Sequence, residues 1–375
     1  MVVVLAMFGD MRAASTLPSS SINGPAIDDV EQSTTIAIDT GAEVHLDEWI
    51  APPMVDDNGL LRVGRILEWM DVGGCLAADR YCRRHSVTAS VNSVEVTRPV
   101  ELGEHVSMTA RVVHTSRRSM GLHVSMTARG ATQATDSEVL SAYMTFVPLD
   151  SGSGGEVKPW TPLTPRDRVL YREGELRREF RKKLAAGGCD TDLGAGGPQR
   201  PLISLRALAG GVRRMMSLVP EASRSPETSY IHRIEPVMPS ALNMHGTLYG
   251  GTLMRWIEDA ASLSARAFTG DAVVVVGVHG LDFLKAVSHN VFAHIHAMAV
   301  RSDPSSVTIR VEVTSESPLT RSVEQSLCGF LTYRPLDRRV VVPALDVHSD
   351  AERALSLESA QHLAFSRRLR EASVA

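Results

Sequence analysis

Gly59–Asp71 reads GLLRVGRILEWMD, and Gly246–Glu258 reads GTLYGGTLMRWIE. The second stretch follows the first by 246 − 59 = 187 residues. Tyr143–Asp150 (YMTFVPLD) stands over Phe330–Asp337 (FLTYRPLD), and 330 − 143 is again 187. A gap-free correspondence over roughly ninety residues implies two copies of one fold, with the same strand lengths and turns. It also makes the differences between the copies readable. Where they disagree at a polar position, the fold does not require that residue, which leaves chemistry as its reason.

The 375 residues suffice for two domains with sizeable cores. A net charge of −4 gives no electrostatic reason to expect nucleic acid or an anionic membrane as partner. Cys75, Cys82, Cys189 and Cys328 form no CxxC pair and no metal spacing, which points to free thiols in a reducing compartment. No apolar run reaches transmembrane length. The start, MVVVLAMFGDMRAASTLPSS, lacks the basic region of a secretory signal. The expected location is cytoplasmic; a mitochondrial presequence built around Arg12 is the alternative.

Residues 1–43 form an extension poor in core-forming side chains, expected to be disordered. The first module spans 44–150 and the second 230–337. Between them, 151–229 has no counterpart in the repeat and reads as a linker. It holds a flexible SGSGG tract, a charged helix over 164–185 opened by Thr-Pro, and a second flexible tract around GAGG. The tail, 338–375, carries a helix over 350–371. Within each module, apolar residues at helical spacing (Ile66–Leu76, Leu253–Leu263) precede runs with period-two alternation such as HVSMTARVVHT and VTIRVEVT. One long helix followed by antiparallel strands predicts an α+β fold, a sheet wrapped round a central helix, twice over.

The ordered set G-x4-G-x-[LI]-[LM]-x-W-[MI]-[DE], VTASVNSVEVTRPVELGE and TSRRSM, with NMHGTLYGG and LDFLK in the second copy, resembles the tandem hotdog acyl-CoA thioesterases. It is most similar to the group of the cytosolic acetyl-CoA hydrolase and its brown-fat-associated relative. The resemblance covers about 44–148 and 230–335. Those relatives commonly carry a lipid-binding START domain after the second hotdog. The residues after Asp337 are too few for one, so START-dependent regulation is not implied. The resemblance implies hydrolysis of an acyl-CoA to free acid and coenzyme A, with no cofactor, since coenzyme A is part of the substrate. It also implies association, most often of three double hotdogs.

Thioester hydrolysis needs a general base or carboxylate nucleophile and donors for the oxyanion. The family draws these from both members of a hotdog pair. Gly251 and Glu258 lie about 10 Å apart along one helix, so carboxylate and helix start must come from different modules. Two composite sites follow. One joins Asp71 to Asn243 and the helix start Gly250-Gly251. The other joins Glu258 to Asp56 and Val63-Gly64. The first pairs a carboxylate with a neutral amide at a positive helix end. The second sets two carboxylates together, a poor place for an oxyanion, and reads as vestigial. The family's Asp-with-Asn pattern agrees with the first. Asp71 is then the general base, or attacks directly; Asn243 orients water or thioester; Gly250 or Gly251 supplies the oxyanion amide.

Each assignment has a plain structural counterpart. Asp71 can end an apolar helix face, Asn243 can serve a turn, and Gly250-Gly251 can serve helix packing. Trp69 and Trp256 repeat with the fold and read as core, and Cys75 reads as a small packing residue. His294 and His296 share a strand face without an evident third ligand, so no metal is expected. Arg117, Arg118 and Ser119 are candidates for coenzyme A contacts, or else a solvated hairpin turn. Lys285 is a further phosphate candidate. The main alternative from another class is a non-catalytic acyl-CoA-binding or scaffold protein. A hotdog hydratase would need a histidine on a central helix, and neither helix has one.

Overall fold

The computed structural model describes residues 43–130, 132, 135–149, 156–185, 204–209 and 223–374. Residues 1–42 of the N-terminal extension, the SGSGG tract and the GAGG tract lie outside the described residues; Glu43, the last residue of the expected extension, instead opens the first strand. The first copy forms β1 (Glu43–Trp49), α1 (Val63–Cys82), β2 (Ser86–Val96), β3 (His105–Ser116), β4 (Ser119–Arg129) and β5 (Ser137–Pro148). The linker supplies α2 (Pro165–Ala185), the single turn α3 (Leu205–Leu208) and β6 (Ser223–Arg224). The second copy forms β7 (Ile231–Pro236), α4 (Gly250–Thr269), β8 (Val273–Phe283), β9 (Phe292–Asp303), β10 (Ser306–Glu316) and β11 (Val323–Pro335). After it come β12 (Ala344–Leu345) and α5 (Asp350–Val374), which extends past the expected end at 371.

Ten strands form one sheet in the order β1-β3-β4-β5-β2-β8-β11-β10-β9-β7, every pairing antiparallel. Each copy contributes five strands in equivalent order, and β2 against β8 joins them, with Ser90 opposite Asp282 and Val94 opposite Val278. The fold is two hotdog domains sharing a continuous sheet. Against the sheet, α1 buries Leu67, Met70, Ala77 and Ala78, and α4 buries Met254, Ile257, Ala261 and Ala265, all fully. That stripe recurs at three- and four-residue spacing, as a helix lying on a sheet requires. Trp256 is buried, whereas Trp69 is only half-buried at the core margin.

The helices cross where side chains vanish. A Cβ on Gly64 would stand 3.1 Å from the Cα of Arg255, and one on Gly251 would stand 2.9 Å from the Cα of Glu68. These contacts are the same contact, since 64 and 251, like 68 and 255, are 187 apart; the interface is isologous within one chain. Arg255 Nε donates to Glu68 Oε1 at 2.7 Å to close it.

The charged helix α2 lies on the outer sheet face. Arg177 and Arg181 donate to the hydroxyls of Ser93 and Ser90 on β2. On the neighbouring half, α5 sets Ser366 against His279 of β8. Phe180 of α2 and Phe365 of α5 stack at 4.0 Å over the seam.

Candidate active site

Asp71 lies on α1 beside the helix crossing and is buried. Its Oδ2 accepts the backbone N–H of Gly251, from the other domain, at 2.7 Å. Its Oδ1 accepts the hydroxyl of Thr88 on β2. Burial raises its pKa to about 6, against the downward pull of the Thr88 and Gly251 bonds; the nearby Glu68 pushes the same way as burial. The glycine pair packs closely. A Cβ on Gly250 would lie 3.0 Å from Asp71 Oδ2, and one on Gly251 3.3 Å from Asp71 Cβ, so a side chain at either position would crowd the carboxylate.

The structure thus brings Asp71, Gly250 and Gly251 together, but gives the Gly251 amide to Asp71 itself. The first turn of a helix has no acceptors for its amides, so those of Gly250 and Thr252 remain at the positive end. Asn243 bonds within its own loop. Its Oδ1 accepts from the backbone N–H of His245 at 2.9 Å and of Thr247 at 3.2 Å, and its Nδ2 donates to Thr247 Oγ1 at 2.9 Å. Asp56 does the same for its own loop, accepting from Asn58 N at 2.9 Å and Leu60 N at 3.0 Å. Both are loop-closing residues, ahead of glycines that need positive φ, Gly59 at 73° and Gly246 at 75°. The Asn243 loop still reaches the first domain, where His245 packs edge-on against His85 at 5.3 Å.

Thr88 was not among the expected site residues. The signal existed: its counterpart at 88 + 187 is Val275. Tyr249, at the start of α4, has its hydroxyl pKa raised by burial, then by Asp71, Cys75 and Asp79. Cys75 is pushed up to about 12 by burial, Asp79 and Asp71. It is a protonated thiol, unsuited to nucleophilic attack.

At the second composite position Gly64 donates its backbone N–H to Glu258, and the pKa of that carboxyl rises to about 7. The causes are burial and then Asp259. Asp56 is not among them, so the expected clash of Asp56 with Glu258 is corrected: the Asp56 oxygens are turned to their own loop. Both residues line a cleft of about 340 Å³.

The candidate coenzyme A contacts sit at the sheet end that carries Thr88. Met120, Phe146 and Thr88 are register partners across β4, β5 and β2, so the Arg117-Arg118 turn lies two strands over, about 10 Å. Arg117 and Arg118 are exposed, Arg117 within 3.6 Å of Glu156. Ser119 bonds Ser116, and Lys285, exposed just past β8, bonds Glu324. His232 joins His294 and His296 in a ring stack. Among the described residues, however, no three His, Cys, Asp or Glu converge as a metal site requires, and no helix is long and apolar enough to cross a membrane.

The sequence model of the Thioesterase superfamily matches residues 58–134 and 245–321. The two spans are themselves 245 − 58 = 187 apart. The chain is 25% identical over 246 residues to a rat acetyl-coenzyme A thioesterase, covering 65% of this chain and 40% of that protein. It is 24% identical over 263 residues to mouse acyl-coenzyme A thioesterase 11, covering 67% and 42%. It is 26% identical over 299 residues to a mitochondrial acyl-coenzyme A thioesterase 4 of Humulus lupulus, covering 73% and 55%. The chain therefore spans about two fifths to a little over half of the length of these relatives.

Proposed function

With two thioesterase-superfamily domains joined as one hotdog pair, we propose that the chain hydrolyses an acyl-CoA to a free carboxylic acid and coenzyme A. The observation that carries this reading is the buried carboxylate of one domain held by the glycine helix start of the other. Asp71, ionised above about pH 6, takes a proton from water as hydroxide adds to the thioester carbon. The amides of Gly250 and Thr252 face the oxyanion at the positive helix end. The carbon–sulfur bond then breaks, and Asp71 returns the proton to the departing thiolate. Anchoring of both carboxylate oxygens, by Thr88 and Gly251, favours general-base action over direct attack, which would break an anchor. Asn243 supports the site by shaping the loop that leads into α4. Arg117, Arg118, Ser119 and Lys285 are proposed to meet the phosphates of coenzyme A, and water is the only co-reactant.

Thiol release from a panel of short to long acyl-CoA substrates tests this. Asp71→Asn is expected to lose turnover by about 10²- to 10⁴-fold while keeping its thermal midpoint, and Asn243→Ala to lose it as well. If the wild-type chain binds acyl-CoA but releases no thiol, the hydrolase reading fails and a binding or scaffold role replaces it. Self-association into three chains belongs to the same proposal. Exposed Ile234, Met238 and Phe292 on the second domain offer apolar surface for it, and light scattering on the purified chain is the check.

A further inference from the structure

The two composite clefts differ in more than catalytic parts. Around Asp71 stand Tyr249, Cys75, Asp79 and Thr88. Their counterparts at the fixed offset of 187 are Arg62, Ser262, Arg266 and Val275, and all four line the Glu258 cleft. That cleft lacks parts that the Asp71 site has. Val275 has no hydroxyl, and Val63 carries a side chain where Gly250 lies bare against Asp71. Yet about 340 Å³ of space remains, within the range of ordinary ligand pockets.

Its charges separate into two kinds. Arg98 forks onto Glu104, and Arg233 bridges Glu235 and Asp259. Those guanidiniums are structural. Arg62 and Arg266 make no side-chain hydrogen bond and no ion pair within 4 Å among the described residues. Of the carboxylates, Asp56 is engaged by its own loop, Asp259 by Arg233, and Glu258 is half-neutral near pH 7 because it is buried. Asp57 is exposed at the rim. The remaining wall is aliphatic, with Val63, Ile66, Leu263 and Val275 prominent. Arg62 is exposed and its charge reaches Glu258, whose pKa it lowers without a close ion pair; Arg266 is half-buried. Two guanidiniums without a hydrogen-bonded carboxylate, beside an aliphatic wall, suit an anionic headgroup with an apolar tail.

We propose that the Glu258 cleft is a non-hydrolysing binding site for an aliphatic carboxylate, whose headgroup meets Arg62 and Arg266 and whose chain lies against Val63, Ile66, Leu263 and Val275. The hydrolase reading enters only in that such an acid is the product class of the proposed reaction. The phosphates of coenzyme A offer related headgroup chemistry, and the experiment separates the two sources.

Titration calorimetry of the full chain with sodium decanoate, and separately with coenzyme A, is the test. Decanoate is expected to bind wild type and Asp71→Asn alike, without displacement by coenzyme A. Arg62→Gln combined with Arg266→Gln should weaken it at least about tenfold, at an unchanged thermal midpoint and unchanged thiol release. Leu263→Glu, an exposed position that tolerates charge, should weaken it through repulsion. Decanoate binding indifferent to these changes, no decanoate binding, or binding of coenzyme A that depends on the same arginines would each overturn the proposal. Because the readout needs no turnover, a chain that binds decanoate through the arginines yet hydrolyses nothing would sink the hydrolase reading alone.

Discussion

Asp71 and Glu258 hold equivalent positions, accept equivalent glycine amides, and are both pushed upward by burial. Their protonation nevertheless has different consequences. In the proposed reaction the ionised form of Asp71 is the working one, so kcat/KM is expected to rise with pH and reach half its plateau near pH 6, measured as thiol release across the range. Thr88→Val removes a bond that favours the ionised form. It should move that midpoint above pH 6 and lower the plateau about 10- to 100-fold, and an unmoved midpoint would remove Thr88 from the site. Glu258 supplies a stability test. Its carboxyl ionises near pH 7 when folded against an ordinary 4.5. The favourable contribution is therefore present below 4.5 and lost as pH rises through 7. Glu258→Gln should raise stability at pH 8 by up to about 3 kcal/mol and have little effect near pH 4, read by urea unfolding at both values. At this scale the duplication made much visible: a carboxylate in both copies and a second glycine in one. The same comparison sets Thr88 over Val275, a hydroxyl present in one copy alone. What the Gly251 amide does was not legible, because it depends on how closely two helices cross.

The central helices begin without a side-chain cap, at Arg62 and Tyr249, and end on residues in the left-handed region, Arg83 and Gly270. Gly270 is a readable stop signal; Arg83 is not, since an arginine adopts φ of 55° only when its surroundings impose it. This is why apolar spacing located both helices but not their ends. The linker helix was legible from Thr-Pro and its charge. Its seat on the outer sheet face was not, because its contacts are two small hydroxyls, Ser90 and Ser93, whose odd spacing meets one helix only through the register shift between Val91 and Ser93. Helix-on-sheet spacing makes its own prediction. A Cβ on Gly74 of α1 would stand 2.6 Å from Cζ of Phe146, which is fully buried. Gly74→Val should cost about 1–3 kcal/mol, measured as a lower urea midpoint; a neutral result would mean that α1 can lift from β5.

The duplicated halves are joined by β2 against β8, by α1 against α4, and by an amide of one held on a carboxylate of the other. Neither half buries its helix start alone. The described chain from β1 to α5 is therefore expected to melt in a single transition, with calorimetric and van't Hoff enthalpies in agreement; two resolved peaks would show that the halves stand independently. Two equivalent modules were legible from the repeat, whereas the unbroken sheet was not, since strand order across the seam has no local signature. The covalent tether between the copies has a last effect. In a symmetric pair of separate chains, every substitution is written into both grooves at once, and an arginine that suits one would spoil the other. Tethering lifts that restriction, so each groove is free to acquire an errand of its own.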